Sequence, residues 1–363
     1  MKERGIRMKK IGILTSGGDC QGLNAAIRGV AKALYVELGP EVEIYGIQDG
    51  YRGLIEGNYR LMKSADFSGI LTLGGTILGT SRQPYKQLLT DEGRAKVEAM
   101  KANYKKMKLD CLVILGGNGT QKTANLLSEE GIPVVSLPKT IDNDVWGTDM
   151  TFGFHSAVEI ATNVLDCIHT TATSHGRVFI VEIMGHKVGW LPLYAGIAGG
   201  ADVILLPEIP YQIKSIVKTL EQRNKAGKRF SILAVAEGAL SLEESKLSKK
   251  EFKNARLEMQ YPSISYRLAA EIGQMTGQEI RVTVPGHFQR GGSPCAYDRV
   301  LSTRFGTAAA QLIANEDYGK MVALKGTEII GVPLSEIAGK LKGVPVDCEE
   351  IRSARDLGIS FGD

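Results

Sequence analysis

Cys111-Leu112-Val113-Ile114-Leu115-Gly116-Gly117-Asn118-Gly119-Thr120 is a run of five apolar-type residues halted by a glycine pair, and the amphipathic stretch Gln121–Glu130 comes next. A short apolar run bounded by turn residues reads as a buried strand, and the longer stretch behind it as a helix. The same rhythm extends in both directions. Strand candidates are Ile11–Leu14, Val42–Ile47, Cys111–Leu115, Val134–Leu137, Val178–Ile183, Val203–Leu206, Ile232–Val235 and Ile280–Val284. Helix candidates are Leu23–Leu38, Thr90–Lys105, Gln121–Glu130, Ser156–Thr170, Ile213–Ala226 and Ile264–Met275. Their alternation predicts βα units on mainly parallel sheets. The rhythm restarts near Val145–Gly153 without a Pro/Ser-rich linker, so a second, closely packed α/β lobe is expected there. The Lys- and Glu-dense segment Leu242–Glu258 is expected to be a solvated surface helix.

Bulk composition narrows the function class. The 363 residues exceed one average domain and fit two. No apolar run approaches the roughly 20 residues needed to cross a bilayer. The start, Met1 to Lys10, is basic, but Ile11–Leu14 behind it is too short for a signal peptide, and Met8 is a second possible start. The cysteines Cys20, Cys111, Cys167, Cys295 and Cys348 are odd in number and show no C-x-x-C spacing. That argues against a disulfide framework or zinc site and for a reducing, cytoplasmic setting. A net charge of +4, with basic and acidic residues interleaved, gives no case for nucleic acid.

Paired glycines follow three apolar segments: Gly17-Gly18-Asp19 after Ile11–Ser16, Gly74-Gly75-Thr76 after Ile70–Leu73, and Gly116–Thr120 after Cys111–Leu115. Each is expected to end a strand. Glycine allows positive φ and close backbone approach, so N–H groups at a following helix start can cradle phosphate. Three such turns point to a polyphosphate site. A Walker A loop is excluded because no glycine precedes Lys122, and Lys122 also occupies the last glycine position of a dinucleotide fingerprint. Pro138-Lys139-Thr140-Ile141-Asp142-Asn143-Asp144 adds two carboxylates two residues apart. One can take an alcohol proton while the other helps order Mg²⁺ on phosphates; an Asx-turn with solvated carboxylates is the plainer alternative.

These segments, with Gly12–Asp19, Gly79-Thr80-Ser81-Arg82, Gly147-Thr148-Asp149 and Pro285-Gly286-His287-Phe288-Gln289-Arg290-Gly291-Gly292-Ser293-Pro294, resemble the 6-phosphofructokinase family in order and spacing. The resemblance runs from about Lys10 to at least Gly306. It implies two Rossmann-like three-layer α/β/α lobes with the active site in the cleft between them. The lobe binding the phosphoryl donor would cover 8–153 and about 289–340, and the fructose 6-phosphate lobe about 154–288 and 341–363. The implied reaction is magnesium-assisted phosphorylation of the 1-hydroxyl of fructose 6-phosphate, giving fructose 1,6-bisphosphate in glycolysis.

By the same resemblance, Asp142 is the general base, with Thr140 and Lys139 as catalytic companions. Gly18, Tyr51, Arg82, Gly117, Asn118, Gly119 and Thr120 match the donor site, and Asn118 and Asp144 the metal site. Thr140, Asp142, Asp144, Met184, Gly185, His186, Glu237, His287 and Arg290 match the sugar-phosphate site. Arg177 and Arg281 would reach that site from a neighbouring subunit, so a homo-oligomer is implied, a homotetramer in bacterial relatives. Arg28, Lys32, Asp202, Lys228 and Arg229 align with an allosteric effector site, although His169 and Ser64 replace basic residues of it; surface charge is the alternative for Lys228 and Arg229.

Three positions depart from the family pattern. Gly119 leaves room for ATP where pyrophosphate users typically carry Asp, while Lys139 is the residue pyrophosphate users carry. Asn118 replaces a usual Asp and removes a negative charge near the metal. His186 stands where many members have an Arg on the transferring phosphate; Lys139 is a candidate substitute. The reading favours ATP, with a pyrophosphate-dependent phosphofructokinase as the alternative and a non-catalytic nucleotide-binding α/β protein as the remote one.

Overall fold

The computed structural model describes residues 8–363, so most of the basic start lies outside it. Its strands are β1 (Lys10–Ser16), β2 (Glu43–Ile47), β3 (Tyr59–Met62), β4 (Cys111–Gly116), β5 (Val134–Pro138), β6 (Val178–Ile183), β7 (Val203–Leu205), β8 (Ser231–Ala236), β9 (Ile280–Thr283), β10 (Lys320–Lys325) and β11 (Glu328–Pro333). The chain divides into two compact units. One runs to Ser156 and resumes over Arg290–Leu341; the other comprises Ala157–Gln289 and Lys342–Asp363.

The first unit holds a seven-stranded sheet in the order β11-β10-β5-β4-β1-β2-β3. Its inner strands are parallel, and only β3 and β11 run antiparallel to their neighbours. β4 and β5 are buried along their whole length, as central strands covered on both faces must be. Helix Leu23–Glu37 packs on helix Ala296–Ala314 through small residues: a Cβ at Gly306 would lie 2.6 Å from the Val30 nitrogen. The second unit carries a parallel four-stranded sheet, β7-β8-β6-β9, with its own core of Ile180, Leu205, Leu233 and Leu268 among others. Among the described residues no helix is long and apolar enough to cross a membrane.

One expected strand is absent. Ile70–Leu73 forms a turn, with the Leu73 N–H donating to the Ile70 carbonyl, because Gly69 and Gly75 on either side adopt positive φ. Its glycine pair has a steric function instead. A Cβ at Gly74 would lie 2.1 Å from the Gly292 carbonyl oxygen, so only glycine permits that backbone approach. The polar segment near Leu242–Glu258 is α-helical only over Lys249–Leu257, which buries no residue, after a short 3-10 turn over Glu244–Lys246 that buries Glu244.

Candidate active site

Backbone register sets the candidate residues of the first unit. β5, β4 and β1 are adjacent and parallel, with Ser16 opposite Gly116 and Gly116 opposite Pro138. The loops starting at Gly17, Gly117 and Lys139 therefore leave the sheet side by side at its carboxyl edge, where open α/β sheets bind ligands. Buried polar groups lock them there. The Gln121 amide donates to the carbonyls of Gly116 (2.9 Å) and Leu137 (3.3 Å), while its Oε1 accepts from the Ser136 hydroxyl at 2.6 Å. Sequence reasoning missed this residue, because a helical glutamine gives no signal of a buried bridge between two strands.

The glycine loops meet around Lys139. Its Nζ donates to the Gly18 carbonyl and would lie 3.7 Å from a Cβ at Gly17, which has φ +86°. Thr120 Oγ1 would be equally close to that Cβ. Thr80 donates to the Gly17 carbonyl at 2.7 Å, and Gly17 N–H to the Ser81 carbonyl at 3.0 Å, which brings exposed Arg82 to the same loop. Arg290 donates to the Asp19 carbonyl at 3.0 Å, with its Nη1 2.9 Å from where a Gly18 Cβ would sit. Gly119 is exposed, and a Cβ there would meet nothing within 4 Å.

Two donor-site candidates also contact backbone carbonyls. Tyr51 is fully buried, so its ring has no face to offer a nucleotide. Its hydroxyl donates to the Thr120 carbonyl at 3.1 Å, a contact that holds the loop rather than the ligand. Asn118, expected at the metal, donates a side-chain N–H to the Lys340 carbonyl, which leaves its Oδ1 available to a ligand.

The acidic loop is shaped by its middle residue. Asn143 adopts φ +52°, accepts from Thr151 N–H at 3.1 Å and donates to the Asp149 carbonyl at 3.3 Å. It is buried, whereas Asp142 and Asp144 on either side are half-buried. Thr140 Oγ1 accepts from the Asp142 N–H at 3.1 Å. Burial, and then the neighbouring Asp142 carboxylate, push Asp144 up to about 6, against hydrogen bonding from Thr140 and the Lys139 charge. Burial lowers Lys139 and nearby Arg290 adds to it, while Cys20, Asp144 and Asp142 pull the other way. Two crowded carboxylates are a fit for a divalent cation, which would relieve their repulsion. Among the described residues no cluster of three His, Cys, Asp or Glu forms a site by itself.

In the second unit, Met184, Gly185 and His186 follow β6, Glu237 follows β8, and His287 follows β9 in the short helix Gly286–Arg290. These are adjacent parallel strands, so the three turns share one edge. Gly238 N–H donates to the Gly185 carbonyl at 3.2 Å, and a Cβ at Gly238 would clash with His186 O at 2.1 Å. Gln289, fully buried, accepts from Met184 N–H at 3.1 Å and ties the β6 turn to the His287 turn. Arg177 and Arg281 lie elsewhere. They stand at the amino-terminal edge of the sheet, Arg177 just before β6 and Arg281 within β9 opposite Phe179. Seven residues of strand separate Arg177 from Met184, roughly 23 Å at about 3.3 Å per residue. Within the second unit these arginines stand at the opposite end of the strands from Met184, Glu237 and His287.

The effector candidates divide likewise. Arg28 and Lys32 are one turn apart on the first unit's helix Leu23–Glu37. In the second unit, the Asp202 carboxylate is engaged by Arg223 at 2.8 Å and by Ile232 N–H at 2.9 Å, and burial raises its pKa. His169 is bonded to the Gly199 carbonyl at 2.7 Å. Lys228 and Arg229 line a cavity of about 430 Å³ together with His175, Arg177 and Glu279.

Glycine loops converging on a buried lysine beside paired carboxylates place the chain, by chemistry, with α/β proteins that move phosphoryl groups. A sequence pattern for phosphofructokinase matches residues 10–313, and the chain belongs to that family. It is 59% identical over 360 residues to the ATP-dependent 6-phosphofructokinase of Spirochaeta thermophila, covering 98% of each chain. It is 49% identical over 373 residues to that of Propionibacterium freudenreichii, covering 98% of this chain and 99% of the relative. Among solved structures, Pichia pastoris phosphofructokinase in the T-state matches with TM-score 0.77 and 32% identity over 92% of this chain, which spans only 35% of that one. The pyrophosphate-dependent phosphofructokinase of Nitrosospira multiformis matches with TM-score 0.81 at 20% identity, covering 98% and 93% of the chains, a likeness of fold alone.

Proposed function

We propose that this phosphofructokinase transfers the terminal phosphoryl group of ATP to the 1-hydroxyl of fructose 6-phosphate, yielding fructose 1,6-bisphosphate and ADP. The observation that carries this reading is the row Ser16–Gly116–Pro138, which delivers two glycine loops and the Asp142 loop to one sheet edge. ATP as donor is supported by the open space at Gly119 and by relatives named as ATP-dependent.

Asp142 accepts the proton of the attacking hydroxyl while the bond from the terminal phosphorus to the ADP oxygen breaks. Backbone N–H groups of the glycine loops and the Lys139 ammonium face the charge that builds on the phosphoryl oxygens. Lys139 thereby takes the place of the arginine usual at position 186, where this chain has an exposed histidine. Asp144 and the Asn118 Oδ1 would hold magnesium, directly or through water, and the ion would supply charge neutralisation on the phosphates. Glu237 accepts from a sugar hydroxyl, and His287 and Arg290 receive the substrate. Arg177 and Arg281 grip the 6-phosphate bidentately. Since they stand at the far edge of their own sheet, they serve a neighbouring copy, and the enzyme works as a homo-oligomer, a tetramer by analogy with bacterial relatives. Both substrates are soluble metabolites, which puts the enzyme in the cytoplasm.

The test compares wild type with Asp142→Ser in a fructose 1,6-bisphosphate assay with ATP and Mg²⁺. Loss of the base should reduce kcat by about 10²–10⁴ with the fold intact. Unchanged turnover in the variant, or no product from wild type, would overturn the reading.

A further inference from the structure

One carboxylate is positioned where a phosphate is expected. Glu279 and Arg281 are two residues apart at the start of β9, a spacing that puts both side chains on one face. β9 is the edge strand and pairs in parallel with β6, with Val178 opposite Ile280, so Arg177 and Glu279 are neighbours one step earlier. As a result the two guanidiniums converge on a single acid. Glu279 Oε2 lies 2.7 Å from Arg177 Nε, and Oε1 is paired with Arg281 Nη2. Glu279 is the only acid lining the adjoining cavity, whose other charged residues are basic. All three side chains are water-accessible, at 33%, 47% and 57% for Arg177, Glu279 and Arg281.

Exposure decides what such a cluster can do. Solvated ion pairs contribute little to stability, so this carboxylate is a weak staple. A phosphate dianion offers more charge and more acceptor positions to the same two forks, and it displaces a carboxylate readily. We propose that Glu279 is an intramolecular stand-in for the sugar phosphate. It gathers Arg177 and Arg281 to one point in the empty protein and yields them when the substrate of a neighbouring copy arrives. This rests on the reading that the two arginines serve that substrate. Glu279 is a positioning residue: it weakens apparent affinity for fructose 6-phosphate and takes no part in the phosphoryl step.

The test is steady-state kinetics on Glu279→Gln, Glu279→Asp, Arg177→Ala and Arg281→Ala. Removing the competing charge in Glu279→Gln should lower KM for fructose 6-phosphate about 3- to 10-fold, which is what two exposed pairs can withhold. KM for ATP and kcat should stay within twofold, a split that a merely structural residue would not produce. Glu279→Asp, which keeps the charge, should restore a KM close to wild type; Glu279→Ala repeats the test should the glutamine variant fold poorly. If Glu279→Gln leaves that KM unchanged or raises it while the arginine variants raise it tenfold or more, the stand-in role is refuted and the arginine site survives. If the arginine variants also leave KM unchanged, the reading of the sugar-phosphate site itself falls.

Discussion

Replacing Lys139 by methionine removes a buried ammonium with little change in volume. Lys139 is 3% exposed; its Nζ donates to the Gly18 carbonyl, adjoins Gly17, and is drawn by the charges of Asp142 and Asp144. In the proposed reaction it would make a charge-assisted hydrogen bond to the moving phosphoryl group, and such bonds contribute about 1.5–3 kcal/mol. At about 1.36 kcal/mol per factor of ten, Lys139→Met should reduce kcat by roughly 10- to 150-fold. The effect should fall on kcat more than on KM for fructose 6-phosphate, because the charge it meets develops only in the transition state. The assay is initial-rate formation of fructose 1,6-bisphosphate at saturating ATP and Mg²⁺, with circular dichroism to verify folding. A loss of less than threefold would show that Lys139 is not the phosphoryl clamp and that position 186 is uncompensated.

Three further outcomes follow from the same geometry. Gly119→Asp should fold normally, since its Cβ meets open space, yet raise KM for ATP tenfold or more through repulsion of the nucleotide phosphates; an unaltered KM for ATP would dismiss the donor argument. Asp144→Asn should abolish Mg²⁺-dependent turnover while stabilising the metal-free protein. A folded-state rise from 3.8 to about 6 corresponds to about 3 kcal/mol disfavouring the ionised carboxylate. That penalty is absent below the ordinary value and fully present above about pH 6, so the variant's advantage, about 5 °C or more in Tm at pH 7.5, should vanish as pH falls through 6 towards 4. Differential scanning fluorimetry with and without EDTA reads it, and equal Tm values at both pH extremes would refute it.

Elements buried on all sides were the ones legible in the sequence. β4, β5, β6 and β8 are buried along their whole length and mostly apolar, with Ser136, Glu182 and Ser231 the polar exceptions, and each was visible to within two residues. The hairpin β10–β11 was not, because its strands mix lysine, glycine and glutamate with apolar residues. Helix Ala296–Ala314 was missed for a different reason: its buried face mixes Leu301, Phe305 and Ile313 with Asp298, Ser302 and Gly306, which blurs the apolar stripe. At the candidate site, Asp142, Asp144, Lys139 and the loops at Gly17 and Gly117 stand out in the sequence because motif and chemistry agree, and the register of β1, β4 and β5 carries them to one sheet edge. The backbone contacts of Tyr51 and Asn118 were not legible, since a sequence does not say whether a polar group also faces its own backbone. Gln121 and Gln289 were silent because each acts through buried hydrogen bonds that only the folded chain brings together.

The most direct measurement is donor selectivity. Purified protein is incubated with fructose 6-phosphate and Mg²⁺, with either ATP or pyrophosphate, and fructose 1,6-bisphosphate is quantified over time. The account predicts sustained product with ATP and little with pyrophosphate. Turnover with pyrophosphate and none with ATP would contradict the assignment of the donor, and absence of product with both would contradict phosphoryl transfer itself.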